Sequence, residues 1–278
     1  MKTLKTIFAI AIITILSACS KDAPATPNDS NAVFRIKEYR DASGKVLISY
    51  QYNAQGKISK MIYSDGSFSN YTYNAQNLLT TDENGANVNP SSNSTTNYTY
   101  DAAGARINYV TTRNDGSQQK VEYTNNSSGL PTEYKYYTRA TASATWVLNP
   151  PNGALYFYNA NNQVIRFQRS RDYYLTAYDD RGNEIESKNY QLRTSEATYY
   201  LARQSNYTFD NKKAPNISNY YTAINNGLTS NSKNFNEDGS IQNESSGTVT
   251  YEYNEAGYAT KVFRNNILQL SYVLEKVQ

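Results

Sequence analysis

The fold of this chain is decided by a short phrase that first reads Tyr50-Gln51-Tyr52-Asn53-Ala54-Gln55-Gly56. Two tyrosines at positions i and i+2 put both rings on one side of a β-strand, a conformation that aromatic residues favour. The Asn that follows suits the first position of a type I turn, and the Gly suits the fourth. The phrase therefore predicts a strand that ends in a tight turn.

This phrase recurs roughly every 20 residues, with insertions. Full copies begin at Tyr71, Tyr98 and Tyr251, and looser copies run over 39–44, 123–129, 156–162, 178–182 and 207–213. Asn77 and Asn162 stand where other copies have Gly, and Asn is the non-glycine residue that best tolerates a positive φ. Each copy is thus expected to end one strand and begin the next.

A second set of turn dipeptides lies between the copies. These dipeptides are Asp65-Gly66, Asn84-Gly85, Asp115-Gly116, Asn152-Gly153, Asn226-Gly227 and Asp238-Gly239. Such pairs are the strongest short hairpin signal. Because the two sets alternate along the chain, they should lie at opposite ends of the strands. We predict an all-β fold over residues 34–278, an antiparallel meander of repeated β-hairpins that forms a coiled sheet or irregular barrel, with very little helix outside the signal peptide.

The composition excludes several functions. The 278 residues include 28 Tyr, one Cys and no His. His-dependent triads, His-ligated zinc or haem and His acid–base catalysis are therefore excluded, and much of any core must consist of phenol rings. The net charge is only +3, and basic residues such as Arg166, Arg169 and Arg171 are diluted by acidic ones, which disfavours nucleic acid as a partner.

The N-terminus carries a secretory signal. Lys2 and Lys5 precede an apolar run over 7–16, which is too short to cross the ~30 Å hydrocarbon layer as a helix. The run Leu16-Ser17-Ala18-Cys19 resembles a bacterial lipobox, which implies a signal peptide over 1–18 and a diacylglycerol on Cys19. Residues 19–33 read as a disordered tether, since they include two prolines and almost no large apolar side chain. We predict an outer-membrane lipoprotein, with the cell surface favoured over the periplasmic face because Cys-Ser-Lys-Asp partly resembles a surface-export signal.

The repeated phrase resembles the YD, or Rhs-type, repeat over roughly residues 34–275. The stretch over 207–215 is similar to a variant found in repeat-bearing bacterial lipoproteins of unknown function. In the large Rhs and toxin-complex proteins, such repeats wind into a hollow shell around a toxin. This chain has about nine copies and no discernible C-terminal toxin segment, so the resemblance implies an architecture rather than a function.

Two carboxylate pairs are candidates for acid–base catalysis, because carboxylates, Lys and Tyr are the conventional groups that remain. Asp179 with Asp180 is one pair, but Asp179 already has a role in a turn. Glu184 and Glu186 form the other pair, and they flank Ile185 in the in–out alternation expected of a solvated strand face. We predict no catalytic residue.

The run Asn234-x-Asn236-x-Asp238-Gly239 resembles the first half of a calcium loop. Its first position is Asn rather than Asp, and Glu244 falls one residue short of the closing acidic position. An ordinary Asp-Gly hairpin is the favoured interpretation. We predict no metal and no cofactor.

One insertion is a candidate ligand site. Residues 139–153 break the period and contain the only Trp, Trp146, close in sequence to Tyr156 and Tyr158. These three rings could stack on a sugar, whereas the alternative is that Trp146 caps one end of the sheet. Abundant Tyr, Asn and Ser also resemble a recognition surface.

These features favour a membrane-anchored, non-enzymatic β-repeat lipoprotein. It would act as a scaffold or binding module for an extracellular glycan or an envelope protein. Two alternatives stay open: a glycan-degrading hydrolase that uses two carboxylates, and a purely structural envelope protein.

Overall fold

A computed structural model describes residues 33–86, 93–149, 152–194, 197–213 and 225–277. The predicted signal peptide over 1–18, the lipidated Cys19 and all of the predicted tether except Val33 lie outside the described residues. Within the described ranges the chain forms β-strands and turns with no α-helix. No helical segment of the described residues has the length and hydrophobicity that crossing a bilayer requires.

In the described part of the chain, nineteen strands make a single sheet. The first ten are β1 (Phe34–Asp41), β2 (Val46–Tyr52), β3 (Ile58–Tyr63), β4 (Phe68–Tyr73), β5 (Leu79–Gly85), β6 (Ser94–Tyr100), β7 (Arg106–Arg113), β8 (Gln118–Asn125), β9 (Pro131–Arg139) and β10 (Val147–Leu148). The remaining nine are β11 (Ala154–Tyr158), β12 (Val164–Arg169), β13 (Asp172–Tyr178), β14 (Glu184–Leu192), β15 (Tyr199–Lys213), β16 (Asn225–Phe235), β17 (Ile241–Tyr253), β18 (Ala259–Arg264) and β19 (Ile267–Lys276).

The sheet closes on itself. Nearly all strands pair antiparallel with their neighbours in the sequence, and the first strand pairs with the last, with Tyr39 opposite Tyr272. One edge of β9 is shared by two strands in series, because Thr138 lies opposite Val147 of β10 and Tyr134 lies opposite Ala154 of β11. Without the two-residue β10, the other 18 strands form a closed, barrel-like ring, as the predicted meander and irregular barrel require.

The turns that follow seven of the nine copies of the repeated phrase lie at one end of the ring, whereas the turn from Asp41 to Gly44, in the copy over 39–44, lies at the other end. We call the end with the seven turns the Asx end, and these turns begin at Asn53, Asn74, Asp101, Asn126, Asn159, Asp179 and Asn254. In the first of them, the Asn53 carboxamide oxygen accepts hydrogen bonds from the backbone N–H groups of Gln55 and Lys57, at 3.1 and 2.9 Å. This local bonding is why Asn or Asp is needed there.

The Asp-Gly turns at 65–66, 115–116 and 238–239 lie at the opposite end, as predicted. Their backbone geometry is the same as at the Asx end. Gly56 and Gly66 both have positive φ, at 74° and 82°, and each donates its N–H to the carbonyl three residues earlier. One type of turn, a type I turn followed by a left-handed residue, therefore serves both ends.

Four turn assignments from the sequence were wrong. Asn152-Gly153 lies between β10 and β11, which follow one another along the same edge of β9, so it does not form a hairpin turn. Asn84-Gly85 lies inside β5 and Asn226-Gly227 lies inside β16. Gly85 makes room for a ring, because it is paired with Phe68 and a Cβ on it would lie 2.3 Å from that ring. A Cβ on Gly227 would make only an ordinary contact with Phe209, at 3.8 Å. The copy over 207–213 is also not a turn, since β15 continues through it.

The inner face of the ring is identified by burial. Val121 and Ala154 are 3% and 5% exposed, and they share a face with the tyrosines two positions away in the same strands. Leu155 and Phe157 point to the other face and are 40% and 43% exposed. Because the ring shields its concave side, the tyrosine face is the inner one.

Few hydrophobic side chains of the ring are buried. Among the described residues only eight hydrophobic side chains are buried, and Ile36 is the one large side chain that is fully buried. Side chains can fill the interior of an eight-stranded barrel, whereas rings of 16–18 strands enclose more space than their side chains occupy. Most aromatic side chains of the inner face are therefore only partly buried.

Candidate functional site

Seven aromatic rings form a continuous row on the inner face, which we call the aromatic ladder. The ladder crosses seven adjacent strands of the ring, and in order it consists of Tyr98, Tyr109, Tyr123, Tyr134, Tyr156, Phe167 and Tyr174. Successive ring centroids lie 5.1–6.3 Å apart, within the range of favourable aromatic pairs. Every ring of the ladder is only partly buried.

The strand register builds the ladder. Tyr98 lies opposite Tyr109, Tyr123 opposite Tyr134, Tyr156 opposite Phe167, and Phe167 opposite Tyr174. Cross-strand partners share a face and bring their side chains into contact. The ladder thus combines the first tyrosine of several phrases with aromatic residues of the intervening strands.

The second tyrosine of the phrase has a different role. At the Asx end, its hydroxyl donates a hydrogen bond to a backbone carbonyl near the start of the preceding strand. These bonds join Tyr52 to Ile36, Tyr73 to Ile58, Tyr100 to Leu79, Tyr158 to Pro131 and Tyr178 to Val164, at 2.5–3.0 Å. Asn125 takes the same position and donates to the Arg106 carbonyl at 3.0 Å. These bonds tie neighbouring hairpins together.

The hydroxyls in the middle of the ladder are not used in this way. Within the described part of the chain, the hydroxyls of Tyr109, Tyr123, Tyr134 and Tyr156 have no hydrogen-bond partner in the protein. Burial raises the pKa of Tyr109 to about 12, and burial raises the pKa of Tyr156 as well. Both phenols are therefore protonated at neutral pH, so each can donate and accept a hydrogen bond.

Cations lie at both ends of the ladder. The Arg106 guanidinium carbon is 5.6 Å from the Tyr98 ring centroid and 5.5 Å from that of Tyr123. At the far end, the Arg169 guanidinium lies 5.8 Å from the Tyr174 ring, and Asp172 accepts two hydrogen bonds from it. These positions fit cation–π attraction, and they add hydrogen-bond donors beside the rings.

A cavity of about 360 Å³ adjoins the ladder where the edge of β9 passes from β10 to β11. Tyr134, Ala154 and Arg169 line it from the inner face, and Leu148 and Leu155 also contribute. Its size is at the lower end of the range for small-molecule sites. Because Leu155 points to the outer face, the cavity is a gap in the wall of the ring, and Tyr134 of the ladder lies at its inner side.

The three predicted ligand-binding rings are divided between different surroundings. Tyr156 is part of the ladder, and Tyr158 is two positions away on the same face, where its hydroxyl bonds to Pro131. Trp146 lies between the Lys120 ammonium and the Arg139 guanidinium, at 5.0 and 4.2 Å from its ring. Since Lys120 is next to Val121 in β8, it points to the outer face, so the structure does not bring Trp146 together with the other two rings.

The carboxylate pairs do not converge. Asp179 accepts backbone hydrogen bonds from Arg181 and Asn183 within its turn, at 3.0 and 2.8 Å, and Asp180 is exposed in the same turn. A β-bulge puts Glu184 opposite Tyr178 and Glu186 opposite Ala177, so the two glutamates point to opposite faces. The in–out alternation predicted for Glu184 and Glu186 was therefore wrong.

The surroundings of the two glutamates differ accordingly. Burial raises the pKa of Glu184, whereas hydrogen bonds from Lys188 and Gln204 hold the pKa of Glu186 below its usual range. The calcium-like run forms a hairpin turn in which Asp238 accepts hydrogen bonds from the N–H and hydroxyl of Ser240. Among the described residues no group of three acidic or Cys side chains could hold a metal ion.

Sequence reasoning missed most of the ladder. Tyr109, Tyr134, Phe167 and Tyr174 lie outside the repeated phrase, so the phrase did not point to them. The turns could have pointed to these residues. Residues at equal distances before and after a turn lie roughly opposite each other in the hairpin. From the turn that begins at Asn159, this rule places Phe167 near Tyr156.

Comparisons with known proteins identify no family for this chain. No protein-family model matches the sequence, and no curated protein matches it. Solved structures with a similar course of the chain include a porin-like protein from Bacteroides vulgatus, with 11% identity and a TM-score of 0.42 over 86% of this chain and 98% of that one.

A porin-like protein from Bacteroides uniformis has 13% identity and a TM-score of 0.40 over 86% of this chain and 96% of that one. The complex TcdB2-TccC3-TEV has 10% identity and a TM-score of 0.31 over 80% of this chain, which spans 12% of that much longer chain. At these TM-scores the likeness supports no statement about function. The chain itself is an all-β protein with a closed sheet and an aromatic inner face.

Proposed function

We propose that this chain is a lipid-anchored, non-enzymatic binding protein of the bacterial outer membrane that holds a glycan on its inner face, at the cell surface. The observation that carries the proposal is the aromatic ladder with its unused hydroxyls. The apolar face of a sugar ring stacks on aromatic rings, while its hydroxyls need both donors and acceptors. A row of partly exposed tyrosines offers both.

Several features of the site support a glycan over an apolar ligand. Tyr109, Tyr123, Tyr134 and Tyr156 provide rigid ring area and polar hydroxyls together, a combination typical of recognition surfaces. Arg106 adds an exposed guanidinium at one end of the ladder. The adjoining cavity gives room for one sugar or a substituent beside Tyr134.

The absence of His from the sequence and the opposite orientations of Glu184 and Glu186 support a binding role over hydrolysis. The lipid anchor rests on the sequence Leu16-Ser17-Ala18-Cys19. Together these features support ligand capture at a membrane surface. A hydrolase and a purely structural protein are the outcomes that the experiment below separates from it.

The test is a screen of the purified protein against a glycan array, followed by calorimetric titration of the best ligand. Replacing Tyr134 or Tyr156 with Ala should weaken binding about three- to tenfold, as expected from the loss of one aromatic contact. Tyr190 is the matched control, because it is a stacked tyrosine that is not part of the ladder. Its ring centroid lies 4.6 Å from that of Tyr173. Its Ala variant should bind normally.

Two results would contradict the proposal. Equal loss of affinity in the Tyr190→Ala variant would remove the ladder as the site. Release of reducing ends from a bound glycan, abolished by Glu184→Gln, would establish a hydrolase instead. If no glycan binds at all, the structural alternative gains.

A further inference from the structure

One part of the ring has an unpaired strand edge. Strand β17 pairs with β16 over its first eight residues, from Ile241 opposite Phe235 to Thr248 opposite Thr229. On its other side it pairs with β18 only from Val249, which lies opposite Arg264, the last residue of that strand. Eight residues, Ile241–Thr248, therefore extend about 26 Å beyond their neighbour, at 3.3 Å per residue.

The backbone groups on this edge can be assigned from the adjacent turn. Asn254 donates its N–H to Tyr258 and accepts a hydrogen bond from Gly257, so its backbone groups point towards β18. Alternate residues of a strand point the same way. The N–H and C=O groups of Glu244, Ser246 and Thr248 thus face the vacant side. None of them is paired by any described residue.

A β-bulge interrupts the pairing with β16 between Ile241 and Asn243, but from Asn243 to Thr248 this edge lacks the usual protection. Native proteins block exposed edges with Lys, Pro or a β-bulge. Between Asn243 and Thr248 there is no Lys and no Pro, and the pairing with β16 is regular. All of these residues except Gly247 are exposed. The edge is therefore a regular strand open to a further partner.

We propose that this edge pairs antiparallel with the same edge of a second copy of this chain. In the register centred on Ser246, Glu244 lies opposite Thr248 of the second copy, and Ser246 lies opposite its counterpart. Glu244 is the only charged residue of the edge, and it already faces Lys233 on β16 at 3.3 Å. No like charges oppose one another, so the pairing meets no electrostatic penalty.

The chemistry of the edge favours a second copy over a foreign peptide. Peptides that add a strand to a sheet gain specificity from side-chain pockets. The edge from Asn243 to Thr248 carries only small or polar side chains and offers no such pocket. A twofold arrangement instead matches each outward backbone group with its complement, and it closes as a dimer.

The dimer should be weak. About six backbone hydrogen bonds and a small buried area give an interface below the standard size. Anchoring in a membrane would raise the local concentration of the chain and favour the dimer. The pairing leaves the aromatic ladder free, since the ladder covers β6 to β13.

The experiment is sedimentation velocity on the purified full chain in density-matched detergent, over a concentration series up to about 1 mM. We expect a monomer–dimer equilibrium. Ser246→Pro removes an outward N–H at a position where an edge strand tolerates proline, and it should give a monomer. Ser246→Ala keeps the N–H and should dimerise like the wild type.

Circular dichroism and thermal melting show whether the proline variant is folded. Hydrogen exchange on the wild type is a second readout that needs no variant, because protection of Glu244, Ser246 and Thr248 should rise with protein concentration. A wild-type chain that stays monomeric throughout overturns the proposal. So does a folded proline variant that still dimerises, or a monomer whose edge is protected only by an added extended peptide.

Discussion

The hydroxyl of Tyr158 donates a hydrogen bond of 2.8 Å to the carbonyl oxygen of Pro131, across the junction where β9 meets β11. Tyr156 lies two residues earlier on the same face, and its hydroxyl has no partner among the described residues. Two tyrosines of one phrase therefore have different tasks. One joins hairpins, and the other is available to a ligand.

This division predicts opposite effects of removing the two hydroxyls. Tyr158→Phe should lower the free energy of unfolding by about 1 kcal/mol, the usual net contribution of such a hydrogen bond, and leave ligand affinity unchanged. Tyr156→Phe should leave stability unchanged and weaken glycan binding. Urea denaturation and calorimetric titration of both variants check this. Equal stability losses in the two variants would show that the hydroxyls are equivalent.

Replacement of Gly104 by Val tests the turns at the Asx end. Gly104 has a φ of 85°, and a Cβ there would lie 3.6 Å from Leu78, so the cost is conformational rather than steric. We expect a loss of about 1–2 kcal/mol because a β-branched residue is forced to positive φ. Asn77→Gly, at a φ of 60°, is the control and should be neutral or slightly stabilising. An unchanged melting temperature for the Val variant would remove this assignment.

Substitution of Gly85 is expected to lower stability for a different reason. A Cβ at this position would lie 2.3 Å from the Phe68 ring, and φ there is not positive. Gly85→Ala should destabilise the protein by about 1–3 kcal/mol through overpacking. Combining it with Phe68→Leu should restore part of that loss, because the smaller side chain makes room. Thermal melting of the single and double variants measures the coupling, and strictly additive losses would argue against a steric cause.

Glu184 provides a pH-dependent test. Burial raises the pKa of its carboxyl in the folded state, so its charged form is penalised and stability is lost as pH rises through that pKa. Glu184→Gln should therefore raise the melting temperature at pH 7 by a small amount, about 1–2 °C, and this gain should disappear below about pH 4. Glu186→Gln should show no gain at pH 7, because its charged form is stabilised by Lys188. A gain in both variants would indicate a general charge effect.

The predicted anchor at Cys19 is tested by fractionation. Cys19→Ala removes the thiol that would carry the diacylglycerol, and a chain held only by that lipid should move from the membrane pellet to the soluble fraction. The Cys19→Ala variant leaves residues 34–278 unchanged, so its β-fold should be retained, as far-UV circular dichroism would show. A variant that still sediments with outer membranes would contradict lipidation.

Local sequence rules predicted the turns in which one residue must adopt a positive φ. Gly56, Gly104, Asn77 and Asn162 all have positive φ, because the type I turn requires a left-handed residue at that position whatever the rest of the chain does. The same rules failed at Gly85, where glycine serves the approach of a ring from the next strand. The dipeptide alone does not show whether its glycine is required for a positive φ or for the close approach of a ring.

The features that depend on register were beyond local rules. The aromatic ladder needs the pairing of seven strands, and the bulge beside Ala177 reverses the orientation of Glu184 relative to Glu186. The turn between β18 and β19 has positive φ at both Asn265 and Asn266, without the glycine that usually marks such a turn. These properties arise from contacts between strands rather than from the order of residues within one strand.

The pairing of β1 with β19 has a consequence for how the molecule folds. The other pairings join strands that are near neighbours along the chain, whereas this pairing joins Phe34–Asp41 to residues 270–276. Closing so long a loop has a large entropic cost, but only this one pairing requires it. The consecutive hairpins can form before the loop closes. We therefore expect the consecutive hairpins to form first, as an open sheet, and the pairing of β1 with β19 to form last. This last step should limit the folding rate.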